Sequence, residues 1–307
     1  MTNLFAGIEG GGTKFVCALG NGQGEIYERI SVPTTTPKET IAQIIKFLRS
    51  HKHDGELKAI GIGSFGPIDN NPESVNYGQI TATPKPGWAH YNIVEALQHA
   101  FNVPIGFETD VSTAALGEYE WGSAQNLKNF VYMTVGTGIG AAAMINGELV
   151  RGMCSAEMGH ILIPHDKTID PFAGTCPYHA DCLEGMAAGG AIKTRWHVMS
   201  ALDLPASHPA WDLEADYLAA ALANIILILS PQRIIMGGGV MKQMHLFEKI
   251  RERVVQKLNG YVPTPEILEH IDHYIVPPGL ADRSGVAGAI ALARRVYEKE
   301  NFCGDIV

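Results

Sequence analysis

A chain of 307 residues, 46% hydrophobic and 18% charged, has apolar material for a large core and a length that suits about two domains. The formal net charge of −9 offers no basic face for a phosphate backbone, which argues against a nucleic-acid partner but not against a compact cationic pocket. Glu9 and a glycine run precede Lys14, the first basic residue, and the apolar stretch Tyr217 to Leu229 is too short to cross a bilayer. The expectation is therefore a soluble cytoplasmic protein without a signal peptide or a membrane partner.

In chain order, Phe5 to Glu9 enters the turn Gly10-Gly11-Gly12-Thr13-Lys14 and leaves as Phe15 to Leu19, a strand, tight turn, strand pattern. Thr36 to Leu48 has helical apolar spacing at Ile41, Ile44, Ile45 and Leu48, and Leu57 to Gly63 reads as a buried strand. Tyr91 to Phe101 reads as a helix and Val103 to Phe107 as a strand, so strands alternate with helices and the class is α/β. Val131 to Val135, Gly136-Thr137-Gly138-Ile139-Gly140 and Ala141 to Ile145 repeat the opening pattern, as two similar halves facing a cleft would. Leu213 to Leu229 is a long helix stopped at Ser230-Pro231, Arg233 to Met236 a strand feeding Gly237-Gly238-Gly239, and Gly285 to Glu300 a final helix.

Gly61-Ile62-Gly63-Ser64-Phe65-Gly66 fits GxGxxG, but Pro67 and the polar run after it do not open the helix that a pyrophosphate requires, and no Walker string occurs. The three glycine loops beginning at Gly10, Gly136 and Gly237 can each bring bare amides to an anion. Any one alone reads equally as a turn, whereas together, with two Thr and one Lys, they favour a triphosphate. Asp110 follows an apolar strand and opens the helical run Thr113 to Leu116, so from the residues alone it is equally a helix cap or a general base. Five cysteines, an odd number, argue for free thiols or metal ligands over disulfides. His160, Cys176, His179 and Cys182 have the donor set of a closed, structural zinc site, weighed against a chance grouping of loop residues. Glu157 and Glu184 flank that set and by composition alone read as solvated surface carboxylates.

In this order the motifs resemble the ROK (repressor, open reading frame, kinase) sugar kinases of the actin-like ATPase superfamily, over essentially the whole chain. They are Glu9 to Lys14, Thr109-Asp110, Gly136 to Gly140, Glu157-Met158-Gly159-His160, Cys176 to Glu184 and Gly237-Gly238-Gly239-Val240. The resemblance implies a two-domain actin-like, ribonuclease H-like fold with an interdomain cleft. One lobe would span 1–115 plus a C-terminal helix at about 286–307, the other 116–285. It implies Asp110 as catalytic base, and Glu9, Gly10, Gly11, Gly12, Thr13 and Lys14 as a first phosphate loop with Mg²⁺. Thr137 and Gly138 would form the second, with Gly237, Gly238, Gly239, Val240 and Met241 beside the adenosine of ATP. Glu157, His160 and Glu184 become sugar ligands, and zinc is structural. Thr83-Pro84-Lys85-Pro86-Gly87-Trp88 and the segment from Cys176 to Cys182 look like the bacterial fructokinases of the family, so the implied reaction is ATP-dependent phosphorylation of D-fructose to fructose 6-phosphate. A kinase for glucose, mannose or an N-acetylated hexose is the alternative, and a non-catalytic sugar-binding or regulatory member the alternative of a different class. The family's repressors carry a helix-turn-helix domain ahead of the first loop, and with the first loop starting at Gly10 the expectation is a member without that domain. The sequence departs from the commoner pattern at Glu9, usually Asp, at Thr109, usually Asn, and at Lys85, often Asn in glucose-type members, which fits a non-glucose substrate. The resemblance also implies a homodimer.

Overall fold

The computed structural model describes residues 2–51, 53–83 and 85–302. Pro84 of the Thr83 to Trp88 motif and residues 303–307 of the expected C-terminal helix lie outside the described residues. The chain divides into two compact units. Unit 1 contains the chain up to Gln125, Arg151–Ser155 and the chain from Gly279 on, and unit 2 contains Asn126–Val150 and Ala156–Pro278.

Unit 1 begins with β1 (Thr2–Gly10), β2 (Lys14–Gly20) and β3 (Ile26–Pro33), an antiparallel meander. Leu4 to Ile8 is buried throughout, as expected of a central strand covered on both faces. Helix α1 (Pro37–Arg49) starts where Thr36 caps the Glu39 amide and Pro37 supplies a preset first-turn φ, and it buries Ile41, Ile44 and Leu48. Next come β4 (Gly55–Ser64), α2 (Ile93–Gln98), β5 (Ile105–Thr109) and α3 (Asp110–Trp121). The sheet order is β3-β2-β1-β4-β5, with β1, β4 and β5 parallel. Helix α2 is shorter than the apolar pattern suggested. Asn92 caps it by accepting from the Glu95 amide at 2.9 Å, and the His99 amide already donates back to Glu95 and Leu97 carbonyls. Strand β5 starts two residues late and runs on to Thr109, because its pairing with β4 spans Ile60↔Ile105 to Ser64↔Thr109.

Unit 2 holds β6 (Phe130–Val135), β7 (Ile139–Ile145), β8 (Glu148–Leu149), α4 (Leu183–Ala187), α5 (Gly189–Trp196) and α6 (Ala210–Leu229). It continues through β9 (Arg233–Gly237), α7 (His245–Leu258), the single-turn helices α8 (Pro265–Leu268) and α9 (Ile271–Tyr274), and β10 (Ile275–Val276). Its sheet order, β10-β9-β6-β7-β8, repeats the unit 1 plan: an antiparallel hairpin, a third antiparallel strand beyond it, and two parallel strands on the other side. Helix α6 buries residues on all sides from Trp211 to Ile226 and stops where Ser230 turns left-handed at φ 44°.

The chain returns to unit 1 in α10 (Ser284–Phe302), which lays Val286, Ile290 and Ala293 against Phe5, Val16 and Ala59. Gly61 lies under this helix, where a Cβ would collide with the Ala289 carbonyl. The first glycine of the GxGxxG string thus serves strand-to-helix packing, and among the described residues no helix follows β4 until Ile93. Fully buried Glu118 of α3 ties the same region together. Its carboxylate accepts from the Ser123 amide at 2.7 Å, the Gly279 amide at 2.9 Å, the Leu280 amide at 3.0 Å and the Ser284 hydroxyl at 2.7 Å.

Candidate active site

In unit 1 the register across three parallel strands sets Gly10 beside Ser64 and Ser64 beside Thr109. The first glycine loop and the Thr109-Asp110 step therefore leave the sheet in one row at its carboxyl edge, where parallel sheets present their ligand sites. The loop is closed by the Gly11 amide donating to the Lys14 carbonyl at 2.9 Å and is held from outside by Thr34, whose hydroxyl donates to the Gly11 carbonyl at 2.8 Å. Thr13 and Lys14 are exposed at its exit. Glu9 enters it, half-buried against the start of α10. Burial pushes its carboxyl above the ordinary range, with Arg29 and Lys14 pulling the other way.

Asp110 is the first residue of α3, and the cap is Thr109. The Thr109 hydroxyl accepts from the Ser112 amide at 3.1 Å and donates to the Ser112 hydroxyl at 2.8 Å. The cap alternative for Asp110 thus passes to its neighbour, since Thr and Asp are both good caps and only the backbone conformation tells them apart. One Asp110 oxygen accepts from the Val111 amide at 2.8 Å, and the helix amino terminus favours a carboxylate there. Thr109 is buried and its hydroxyl is engaged in the cap. Just before it, buried Glu108 accepts from Asn70 at 2.8 Å and pairs with Arg151; burial raises its carboxyl, with Arg151 the main opposing influence. Sequence reasoning missed this trio because nothing local links positions 70, 108 and 151.

In unit 2 the second and third glycine loops leave the neighbouring parallel strands β6 and β9, with Thr134 paired to both Gly140 and Gly237. The second loop is held by the Gly189 amide donating to the Gly136 carbonyl at 2.8 Å and by the Ile139 amide donating to a Glu184 oxygen at 2.9 Å. A Cβ on Gly138 would stand 2.5 Å from that Glu184 oxygen, so a larger residue there would push the carboxylate off the Ile139 amide. Thr137 is exposed, whereas the side chains of Val240 and Met241 are buried, so beyond Gly237, Gly238 and Gly239 only backbone is offered to a ligand.

The four ligand atoms of His160, Cys176, His179 and Cys182 lie within 4.8 Å of one another. Cys176 Sγ is 3.6 Å from Nδ1 of both His160 and His179, and Cys182 Sγ is 3.5 Å from His160 Nδ1. Tetrahedral zinc at the usual bond lengths sets sulfur and nitrogen about 3.6 Å apart, so the residues fit the metal. Both cysteines are buried and unpaired in disulfides, and burial raises the Cys182 thiol, a cost that a bound cation would have to offset. The second ring nitrogen of His160 faces Glu184 Oε1 at 3.9 Å. Burial raises the Glu157 carboxyl, with His160 lowering and Glu184 raising it, so these three groups share one electrostatic neighbourhood. Of the expected site residues, Asp110 and the first loop come together in unit 1, and the sugar, metal and remaining loop residues in unit 2.

A Bacillus subtilis protein is 46% identical over 303 residues, covering 99% of this chain and 99% of its own. The fructokinase of Pediococcus pentosaceus is 44% identical over 291 residues, 95% of this chain and 98% of that protein. The solved structure of a ROK family glucokinase from Streptomyces griseus, in complex with glucose and AMPPNP, is 24% identical, covers 95% of this chain and 99% of that chain, and superposes with a TM-score of 0.73, a likeness of fold. The fold is the α/β actin-like ATPase fold, in agreement with the repeated sheet plan. Residues 5–296 match the family as a whole, and the chain belongs to the ROK family.

Proposed function

We propose that this chain is an ATP-dependent fructokinase that transfers the terminal phosphoryl group of ATP to O6 of D-fructose. The observation that carries the reading is the row Gly10, Ser64, Thr109 in a chain similar over nearly its full length to fructokinases. Two strand spacings put the glycine loop about 10 Å from the base-bearing step, room for a phosphoryl group between loop amides and a carboxylate.

In this reading Asp110 takes the proton of the attacking hydroxyl as the oxygen–phosphorus bond forms, and the bond to the bridging oxygen breaks as ADP leaves. The amides of Gly10 to Lys14 receive the terminal phosphates, and Thr137 and Gly138 the rest of the chain, with Gly237 to Met241 beside the adenosine. Glu9 would be the carboxylate nearest Mg²⁺ bound with the triphosphate, which would supply charge neutralisation to the phosphate oxygens. Glu157, His160 and Glu184 orient the sugar through its hydroxyls, Glu184 with the oxygen not given to Ile139. His160, Cys176, His179 and Cys182 would hold a zinc ion that would fix the loop carrying those groups and supply no chemistry of its own. We assign the enzyme to the cytoplasm and to a homodimer without nucleic-acid or membrane partners. Among the described residues no helix is long and apolar enough to cross a membrane. The test is a panel of fructose, glucose, mannose and N-acetylated hexoses with Mg-ATP. Fructose should give the highest kcat/KM, and preference for an aldohexose would overturn the assignment.

A further inference from the structure

Lys85 is absent from the roles above, and the structure gives it a definite address. The turn that carries it is anchored by Trp88, which is 1% exposed, stacks on Phe15 at 5.2 Å between ring centroids, and donates its indole N–H to the Thr35 carbonyl at 2.8 Å. Phe15 is the first residue after Lys14, so the indole fixes the turn against the strand that leaves the first glycine loop. The Trp88 amide donates to the Lys85 carbonyl at 3.1 Å, and Gly87, at φ 78°, lets the chain double back. The lysine stem consequently runs over the loop. A Cβ built on Gly12 would stand 3.2 Å from Lys85 Cε and 3.9 Å from its Nζ.

Three features of this placement point the same way. The side chain is only half-buried, yet among the described residues its ammonium has no hydrogen-bond or ion-pair partner. The residue beneath it is a glycine, which leaves both the loop amides and the ammonium open to one anion. The loop already has a cation at its exit, Lys14, so Lys85 adds a second positive charge on its other flank. A surface lysine with no role would extend into water, whereas this one is carried to the loop by an aromatic anchor in the core.

We propose that Lys85 is a catalytic cation of the phosphoryl transfer, its ammonium meeting the oxygens of the terminal phosphoryl group held at the first glycine loop. The proposal rests on the reading of that loop as a phosphate site. As the sugar oxygen bonds to phosphorus and the bond to the bridging oxygen of ADP breaks, the hydroxyl proton goes to Asp110 and the electron pair leaves with ADP. Lys85 keeps its proton throughout and stabilises charge on the oxygens in flight. It therefore distinguishes a nucleotide that has a terminal third phosphate from one that lacks it.

The experiment compares wild type with Lys85→Met and Lys85→Arg in kcat, in KM for fructose and ATP, and in calorimetric affinity for ADP and for a non-hydrolysable ATP analogue. Lys85→Met should lower kcat by about 10² to 10³, the scale of losing one preorganised donor to a transition-state oxyanion. It should weaken the analogue at least about fivefold, the scale of one charge-assisted hydrogen bond, and leave ADP unchanged within about twofold. Lys85→Arg should recover a substantial part of both losses, and thermal melting should be unchanged in both variants. An unaltered kcat, a loss confined to KM for fructose, or equal weakening of ADP and analogue would each overturn the proposal. Failure of the phosphate-loop reading shows separately, as wild type that binds neither nucleotide or turns over no hexose.

Discussion

The first glycine loop, Gly10 to Lys14, closes through its own backbone and stands among charged side chains: Glu9 at its entry, Lys14 at its exit, Lys85 over Gly12, and Asp110 two strands away. The second, Gly136 to Gly140, follows the equivalent strand of unit 2 and also closes on itself, the Gly136 amide donating to the Gly138 carbonyl at 2.8 Å, but where Thr34 holds the first loop from outside, the second is held by the Gly189 and Gly190 amides and by Glu184, two residues after the metal-set cysteine Cys182. The sheet plan is repeated while the surroundings are not. In the proposed reading unit 1 uses its loop to meet charge at a reacting group, and unit 2 ties its loop to the segment that would hold sugar and metal. Damage to the first should appear in turnover, and damage to the second in binding.

The sharpest way to break this contrast is Asp110→Asn. Amide and carboxylate have nearly the same shape, and the helix is capped by Thr109, so the fold and hexose binding should persist while kcat falls about 10² to 10⁴. A folded variant keeping more than about a tenth of the wild-type kcat would leave Asp110 without its role as base.

A smaller effect, in KM, should come from the unit 2 metal set. Protein prepared without chelator should carry one zinc per chain, and Cys176→Ser with Cys182→Ser should carry none and raise KM for fructose about tenfold, the scale of losing one hydrogen bond to a charged group. Wild type without zinc, or a double variant that keeps it, would remove the metal from the account.

Much of this was legible in the sequence because it depends on short spacing. The strand, glycine turn, strand pattern occurs at both Gly10 and Gly136, and the CxxHxxC string brings three of the four candidate metal ligands together within seven residues. What escaped the reading depends on contacts distant in sequence. Glu118 is completed by residues 161 to 166 positions later, Glu108 by Asn70 and Arg151, and the place of Lys85 by an indole seated on another strand. The cap went to Thr109, although Asp is the better capping residue, because the backbone leaving β5 is still extended at Thr109 and already helical at Asp110.

Glu118 sets a control outside both loops. Glu118→Ala would remove the fully buried carboxylate that the Ser123, Gly279 and Leu280 amides and the Ser284 hydroxyl share, costing on the order of 3 kcal/mol in urea unfolding, with no selective effect on nucleotide or sugar binding at temperatures where the variant stays folded. A loss below about 1 kcal/mol would show those amides finding other partners.

The assignment itself is tested most directly by the product. Wild-type protein with Mg-ATP and D-fructose, followed by phosphorus NMR, should yield ADP and fructose 6-phosphate in equal amounts. Fructose 1-phosphate, or ADP with inorganic phosphate and no sugar phosphate, would contradict transfer to O6.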